Sequence, residues 1–137
     1  SEEVGVKTKT LNLWCDSSEV WLSDSNIVNS TKNVNLASFL DELCYIGVDL
    51  SATSDLTAVS YLVVKDGIYY FKNYYYLPES CLVNNSNREK YRLWRNQHQL
   101  NITSGNVTDY DYITKDMLKW IDTVSIQKVG YDKWNAT

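Results

Sequence analysis

Tyr45-Ile46-Gly47-Val48-Asp49-Leu50-Ser51-Ala52-Thr53-Ser54-Asp55-Leu56-Thr57-Ala58-Val59-Ser60 is the stretch on which the reading of this chain turns. An apolar run, Tyr45 to Val48, delivers a single carboxylate, Asp49, at the end of what reads as a buried strand. A Ser/Thr-rich turn follows, and Leu56 opens a second strand. An unpaired aspartate is expensive to bury, so a carboxylate in a core strand calls for a metal ion or a hydrogen-bond network. A purely structural aspartate is the competing reading of the segment on its own.

Working outward, the period of the apolar residues changes from 3.6 to 2 at this segment. Upstream, Asn35 can cap a short helix in which Leu36, Phe39, Leu40 and Leu43 share a stripe. Cys44–Leu50 and Leu56–Val64 read as strands. Asp66-Gly67 is a hairpin signal, and Ile68–Leu77 is an aromatic third strand ended by Pro78, the single proline. Ser86 and Glu89 form a capping box for a helix running to about His98, with Tyr91, Trp94 and His98 on one face. A loop centred on Thr103-Ser104-Gly105-Asn106 leads to a second helix marked by Ile113, Met117, Trp120, Ile121 and Val124. Ser125–Tyr131 is then a short strand reached through helical crossover material, hence parallel to its partner. It too ends in a carboxylate, Asp132. Three antiparallel strands, two helices and a parallel return strand give the order of an α/β, ribonuclease H-like mixed sheet, in which the last strand pairs beside the first.

Composition limits the alternatives. The chain has 137 residues, 44% of them apolar, with five Trp and eleven Tyr, enough for one packed core and unlike a disordered chain. No apolar run reaches membrane-spanning length. Cys15, Cys44 and Cys81 are odd in number and lack CxxC spacing, which argues against a disulfide framework or a zinc site and for a reducing compartment. Five Asn-x-Ser/Thr sequons reflect the Asn- and Ser/Thr-rich composition. A net charge of −4 is not that of a protein that holds nucleic acid by bulk charge. The local exception is residues 87–99, where Arg88, Lys90, Arg92 and Arg95 face Glu89 alone; a solvated helix face explains it more simply than a phosphate-binding patch. Residues 1–35 are Ser-, Asn- and Thr-rich, with extended pieces at Val4–Leu13 and Glu19–Leu22 and aromatic anchors at Trp14 and Trp21.

The chemistry follows from the two strand ends. Backbones of neighbouring strands lie about 4.8 Å apart. Asp49 and Asp132 at the same end of such a pair would repel unless hard cations such as Mg²⁺ or Mn²⁺ lie between them. Two ions roughly 3.5–4 Å apart can activate a water and stabilise the leaving oxygen in phosphodiester hydrolysis. A turn or helix cap is the bland alternative for Asp132. Asp55 sits in the turn after Asp49, where aspartate most often bonds its own backbone, with a lesser prospect of assisting the metal site. Asp109 and Asp111 precede a helix and read as caps, although Asp109 is also a candidate helper. His98, the single histidine, reads as packed rather than catalytic. There is no P-loop.

In order along the chain, these residues resemble the C-terminal nuclease domain of the bacteriophage terminase large subunit. The resemblance is carried by Thr10–Trp14, Glu19–Leu22, Gly47–Ala58, Tyr76–Glu79, Tyr91-x-x-Trp94, Thr103–Tyr110 and Val129–Ala136. It implies a Mg²⁺- or Mn²⁺-dependent endonuclease that cuts concatemeric double-stranded DNA during genome packaging in the cytoplasm of the bacterial host. The resemblance also implies the terminase small subunit and the portal protein as partners, and no membrane. It assigns Asp49 and Asp132 as the first two acidic metal ligands and places a third acid on a later helix beyond residue 137. Residues 1–43 then read as a linker and short helix following an ATPase domain, and 44–137 as the front part of the nuclease domain. Such a truncated domain is expected to leave apolar sheet surface uncovered around its first and last strands, to cut weakly and to self-associate. Two departures from the family are noted: His98 where many relatives carry Gly, and the acidic balance.

Two rivals belong to other classes. A sugar-kinase, actin or Hsp70-like nucleotide-binding domain shares the sheet order and a strand-Asp-turn, but its phosphate loop needs Gly where Ser51 stands. A degenerate nuclease fold from a prophage, kept as an interaction module, would not need both acids.

Overall fold

The computed structural model describes residues 22–132, so the extended pieces and aromatic anchors expected before Leu22 lie outside the described residues. Two compact units divide between Asn33 and Val34. In the first, the described residues form helix α1, Asp24–Ser30, where the sequence suggested only a connecting segment. Its cap explains it: the Ser23 hydroxyl accepts from the Asn26 N–H at 3.2 Å. None of its residues is buried.

The second unit is a five-stranded mixed sheet with flanking helices. Its strands are β1 (Leu43–Asp49), β2 (Thr57–Lys65), β3 (Ile68–Pro78), β4 (Asn101–Thr103) and β5 (Ser125–Tyr131), in spatial order β4-β3-β2-β1-β5. The β1–β2 and β2–β3 pairs are antiparallel, and β5 runs parallel to β1. The β2–β3 hairpin turns at Asp66 (φ 52°) and Gly67 (φ 73°), the two left-handed positions that a two-residue primed turn requires. The sequence reading missed β4. Three residues of the expected loop pair in parallel with the end of β3, Tyr76 opposite Asn101 and Pro78 opposite Thr103. Pro78 is tolerated as the last residue of β3 because the β2 ladder has already ended at Tyr76, so β3 is an edge on that side.

The helices also differ in detail. Asn35 caps as expected, its side chain accepting from the Ala37 N–H, but only a 3₁₀ turn forms, Leu36–Ser38. Leu40 is therefore exposed, and Leu43 belongs to β1 on the sheet's open face. The capping-box helix is α3 (Arg88–Asn96), with Asn87 rather than Ser86 at its cap, and a short helix absent from the sequence reading, α2 (Cys81–Asn84), precedes it. His98 lies past the end of α3 with φ 57°, exposed, and does not share the packed face of Tyr91 and Trp94. Helix α4 (Tyr110–Leu118) stops before Trp120 and Ile121. The Asp109 side chain accepts from the Tyr112 N–H at 3.0 Å, which is the expected cap. The basic stretch is a solvated surface: Glu89 pairs with Arg92 at 3.0 Å and Arg88 at 3.5 Å.

Packing divides the sheet by face. Cys44, Ile46, Val59, Tyr61 and Val63 point to one side, where Leu36, Phe39, Ile113 and Val124 close the main core and Met117 and Trp120 pack against it. Burying each such side chain is worth about 1.5–3 kcal/mol. A smaller core on the other side holds Leu77, Cys81, Leu82, Tyr91 and Leu100. Among the described residues nothing covers the remainder of that second face, and Leu43, Tyr45, Phe71 and Tyr75 are exposed along it.

Candidate metal and nuclease site

Strand alternation decides which way Asp49 points. Cys44 and Ile46 are buried and Val48 half-buried, whereas Tyr45, Gly47 and Asp49 are exposed. The expectation of a carboxylate buried in a core strand is therefore corrected: Asp49 ends a central strand but stands on the open face, where water solvates it without a desolvation cost.

Strand β5 brings the second acid level with it. Gly47 lies opposite Gly130 and Val48 opposite Tyr131, so one more step along both parallel strands sets Asp49 beside Asp132, on the same face. This match depends on an irregularity. Cys44 pairs with Ile126 but Tyr45 pairs with Lys128, so Gln127 is an extra residue in β5. Had the ladder continued from Ile126 without that bulge, Tyr131 would lie opposite Asp49 and Asp132 would point to the opposite face. Asp49 and Asp132 line one shallow cavity of about 380 Å³ with Gly47, Val48, Ala58, Ser60, Gly130 and Tyr131. Its floor is small: Gly47, Gly130 and Ser60 form one cross-strand row. A Cβ on Gly47 would meet nothing within 4 Å, so internal packing does not demand a glycine there.

The loop after Asp49 is tied down from several sides. The fully buried Thr57 hydroxyl accepts from the Ser51 N–H at 2.9 Å and donates to the Ser51 carbonyl at 3.1 Å. The Thr108 N–H donates to the Ala52 carbonyl at 2.8 Å, Cys81 Sγ to the Thr53 carbonyl at 3.1 Å, and Asn85 Nδ2 to the Ser54 carbonyl at 2.8 Å. Asp55 Oδ1 accepts from the Leu56 N–H at 2.8 Å, the local backbone role expected of a turn aspartate, and Asp55 does not line the cavity. Asp109 is occupied as the cap of α4 and is likewise not among the cavity's residues. The Thr57 clamp and the Gln127 bulge escaped the sequence reading. A Thr opening a strand and a Gln inside one carry no signal of either role.

The donor set suits a hard divalent cation: two exposed carboxylates at the ends of adjacent strands, with no soft ligand among the described residues that line the cavity. Among the described residues, no group of three or more His, Cys, Asp or Glu side chains gathers at one point. No helix of the described residues is long and apolar enough to cross a membrane.

Comparisons with known proteins bear on the family and the fold. The family model for the terminase large subunit, endonuclease domain, matches residues 3–137. The chain is 29% identical over 96 residues to the terminase large subunit of Enterobacteria phage HK97, a match covering 66% of this chain and 18% of that protein. Its fold is similar to the crystal structure of the HK97 bacteriophage large terminase, with a TM-score of 0.62 at 21% identity, over 99% of this chain and 29% of that one. The chain thus spans under a third of either relative's length. The nucleotide-binding rival of the same sheet order gives way to a family match over nearly the whole sequence: the chain belongs to the terminase large subunit, endonuclease domain family.

Proposed function

We propose that this chain is the front part of a metal-dependent DNA endonuclease that cuts concatemeric phage DNA during packaging, with Asp49 and Asp132 as its first two metal ligands. The supporting observation is the pair of carboxylates brought level on parallel neighbouring strands, in one open cavity, in a chain of this family. Mg²⁺ or Mn²⁺ bound there would polarise the scissile phosphate and generate a nucleophilic water. The residues of this chain would hold the ions, and the Gly47–Gly130–Ser60 floor would let a sugar-phosphate backbone approach without steric conflict. Further acidic ligation comes from outside the described residues in this reading. So do the ATPase motor, preceding the linker at residues 1–43, and the contacts to small subunit and portal. The setting is the host cytoplasm.

The test uses a protein carrying this chain within a complete large subunit. Asp49→Asn and Asp132→Asn should each lower Mn²⁺-dependent plasmid nicking by at least about a hundredfold, on the scale of losing a metal-held transition-state interaction. The circular dichroism spectrum should remain that of the parent. Wild-type cleavage by either variant would remove that residue from the site.

A further inference from the structure

A second, larger cavity of about 680 Å³ lies at the far side of the sheet from β5. Its lining includes Asn73 and Tyr75 of β3, Trp94 of α3, His98 and Gln99 of the segment that leads into β4, and Asn101 of β4 itself. The size falls within the range of small-molecule sites. Its chemistry is distinctive: an indole, a phenol and an imidazole offer flat faces, three side-chain amides offer paired donors and acceptors, and Lys72 also lines it. His98 is held there at φ 57°, a backbone conformation unfavourable for a side chain that bears a Cβ.

The register ties this cavity to the acidic site. Asp49 is opposite Ala58, and Ala58 is opposite Tyr75. In the next row of the same face, Gly47 is opposite Ser60, and Ser60 is opposite Asn73. The acidic cavity takes Ala58 and Ser60 of β2, and the larger cavity takes Tyr75 and Asn73 from the same two cross-strand rows, reaching round the β3 edge to Lys72 and Tyr74 of the alternate face. From Asp49 to Tyr75 is two strand spacings, about 10 Å. At the 3.4 Å axial rise of a DNA strand, that is the reach of about three nucleotides.

From this juxtaposition we infer that the Tyr75–Trp94–His98 cavity is a nucleotide subsite, which takes an unpaired base of the DNA strand a few positions from the phosphate held at Asp49 and Asp132. The inference rests on the nuclease reading for its position, while its ligand chemistry is independent of it. Stacking on Trp94 and Tyr75 would hold any base, because every base has a π-face, and the amides of Asn73 and Gln99 could pair with its edge. An extended peptide adding to the edge of β3 is the rival occupant. It is disfavoured because the Tyr75 carbonyl, which such a strand would need, already accepts from Asn101 Nδ2 at 3.2 Å.

The experiment titrates the 137-residue chain with a short single-stranded oligothymidylate in EDTA, followed by ¹H–¹⁵N NMR. The expected result is saturable shifts at the Trp94 indole and at Asn73, Gln99 and Asn101, with affinity falling about tenfold or more in Trp94→Ala. Trp94 also packs on Tyr91, with ring centroids 5.8 Å apart, so that variant could lose structure. His98→Gly supplies the safeguard: it removes the imidazole and relieves the left-handed φ, so it should fold at least as well as the parent yet bind more weakly. Absence of saturable shifts, shifts confined to other surfaces, or unchanged affinity in both variants would overturn the inference. Because metal is absent throughout, failure here would leave the Asp49 and Asp132 assignment untouched. Loss of that assignment would likewise leave the oligonucleotide titration standing.

Discussion

At the scale of single residues, the site depends on what is small as much as on what is charged. Gly47 lies in extended backbone, and a Cβ there meets nothing within 4 Å, so Gly47→Ala should stabilise the strand by about 0.5–1 kcal/mol. The same methyl group would rise from the floor between Gly130 and Ser60, into the space assigned to the DNA backbone. A complete large subunit with Gly47→Ala should thus melt no earlier than its parent but nick plasmid more slowly, chiefly through a raised KM. Unchanged kinetics would show that the substrate does not approach that floor. Of these residues, Asp49 and Asp132 stood out in the sequence because each follows a strand-like segment, where a carboxylate is chemically conspicuous, and their metal role is the reading proposed above. Their solvent exposure was not legible, since Tyr45–Val48 is apolar on both faces and conceals the alternation. His98 illustrates the opposite failure. Its place near a run of helix-spaced aromatics suggested packing, while a positive φ leaves no mark in a sequence unless glycine occupies the position.

At the scale of elements, β5 is the piece whose register matters most. Its span was read from the sequence without error, because a short segment carrying Ile126, Val129 and Tyr131 between a helix and a carboxylate has few other solutions. The bulge at Gln127 could not be read, since it exists only relative to β1. Deleting Gln127 would let Ile126 and Lys128 follow Cys44 and Tyr45 in a regular ladder, so Asp132 should stay level with Asp49. Deleting Gln127 and Lys128 together would move every later side chain of β5 to the opposite face. Broadening of the Asp49 and Asp132 amides by Mn²⁺ should therefore survive the single deletion and vanish, at least at Asp132, in the double one. Equal broadening in both would mean that the strand re-registers freely and that the bulge does not set the site. Strand β4 was missed for a related reason. Three residues in a Ser/Gly/Asn-rich stretch show no periodicity of their own and are strand only because β3 offers them an edge.

At the scale of the whole molecule, two properties follow from how the sheet is covered. On the closed face, burial pushes the phenols of Tyr61, Tyr76 and Tyr74 and the thiol of Cys44 above their ordinary values. Tyr76 also donates to Asp116 at 3.2 Å, and that carboxylate opposes a phenolate. Unfolded chains release these protons from the ordinary thiol and phenol values of 9.0 and 10.0, while the folded state still holds them. Stability is thus full below about pH 9 and falls as pH rises further. The urea midpoint should be level from about pH 7 to 9 and drop above about pH 10, less steeply in Tyr61→Phe; a flat midpoint would show that these groups titrate alike in both states. The open face makes the second prediction. Tyr45, Leu62 and Phe71 form one cross-strand row on that face, and Phe71 is 60% exposed; Val129 and Tyr131, level with Ile46 and Val48, are 48% and 59% exposed at the β5 edge on the other face. Exposed apolar side chains on both faces, with β5 as the edge strand among the described residues, favour pairing with another copy. The two carboxylates of the described site also provide fewer ligands than Mg²⁺ or Mn²⁺ takes, leaving the ions mostly hydrated and loosely held. The isolated 137-residue chain should therefore cut supercoiled plasmid weakly or not at all and grow in light-scattering mass with concentration. Tyr45→Lys with Phe71→Lys should return it to monomer without restoring cleavage. A chain that stays monomeric at its solubility limit would refute the self-association. Robust cutting lost in Asp49→Asn would show that two carboxylates suffice, and the need for further acidic ligation would fall.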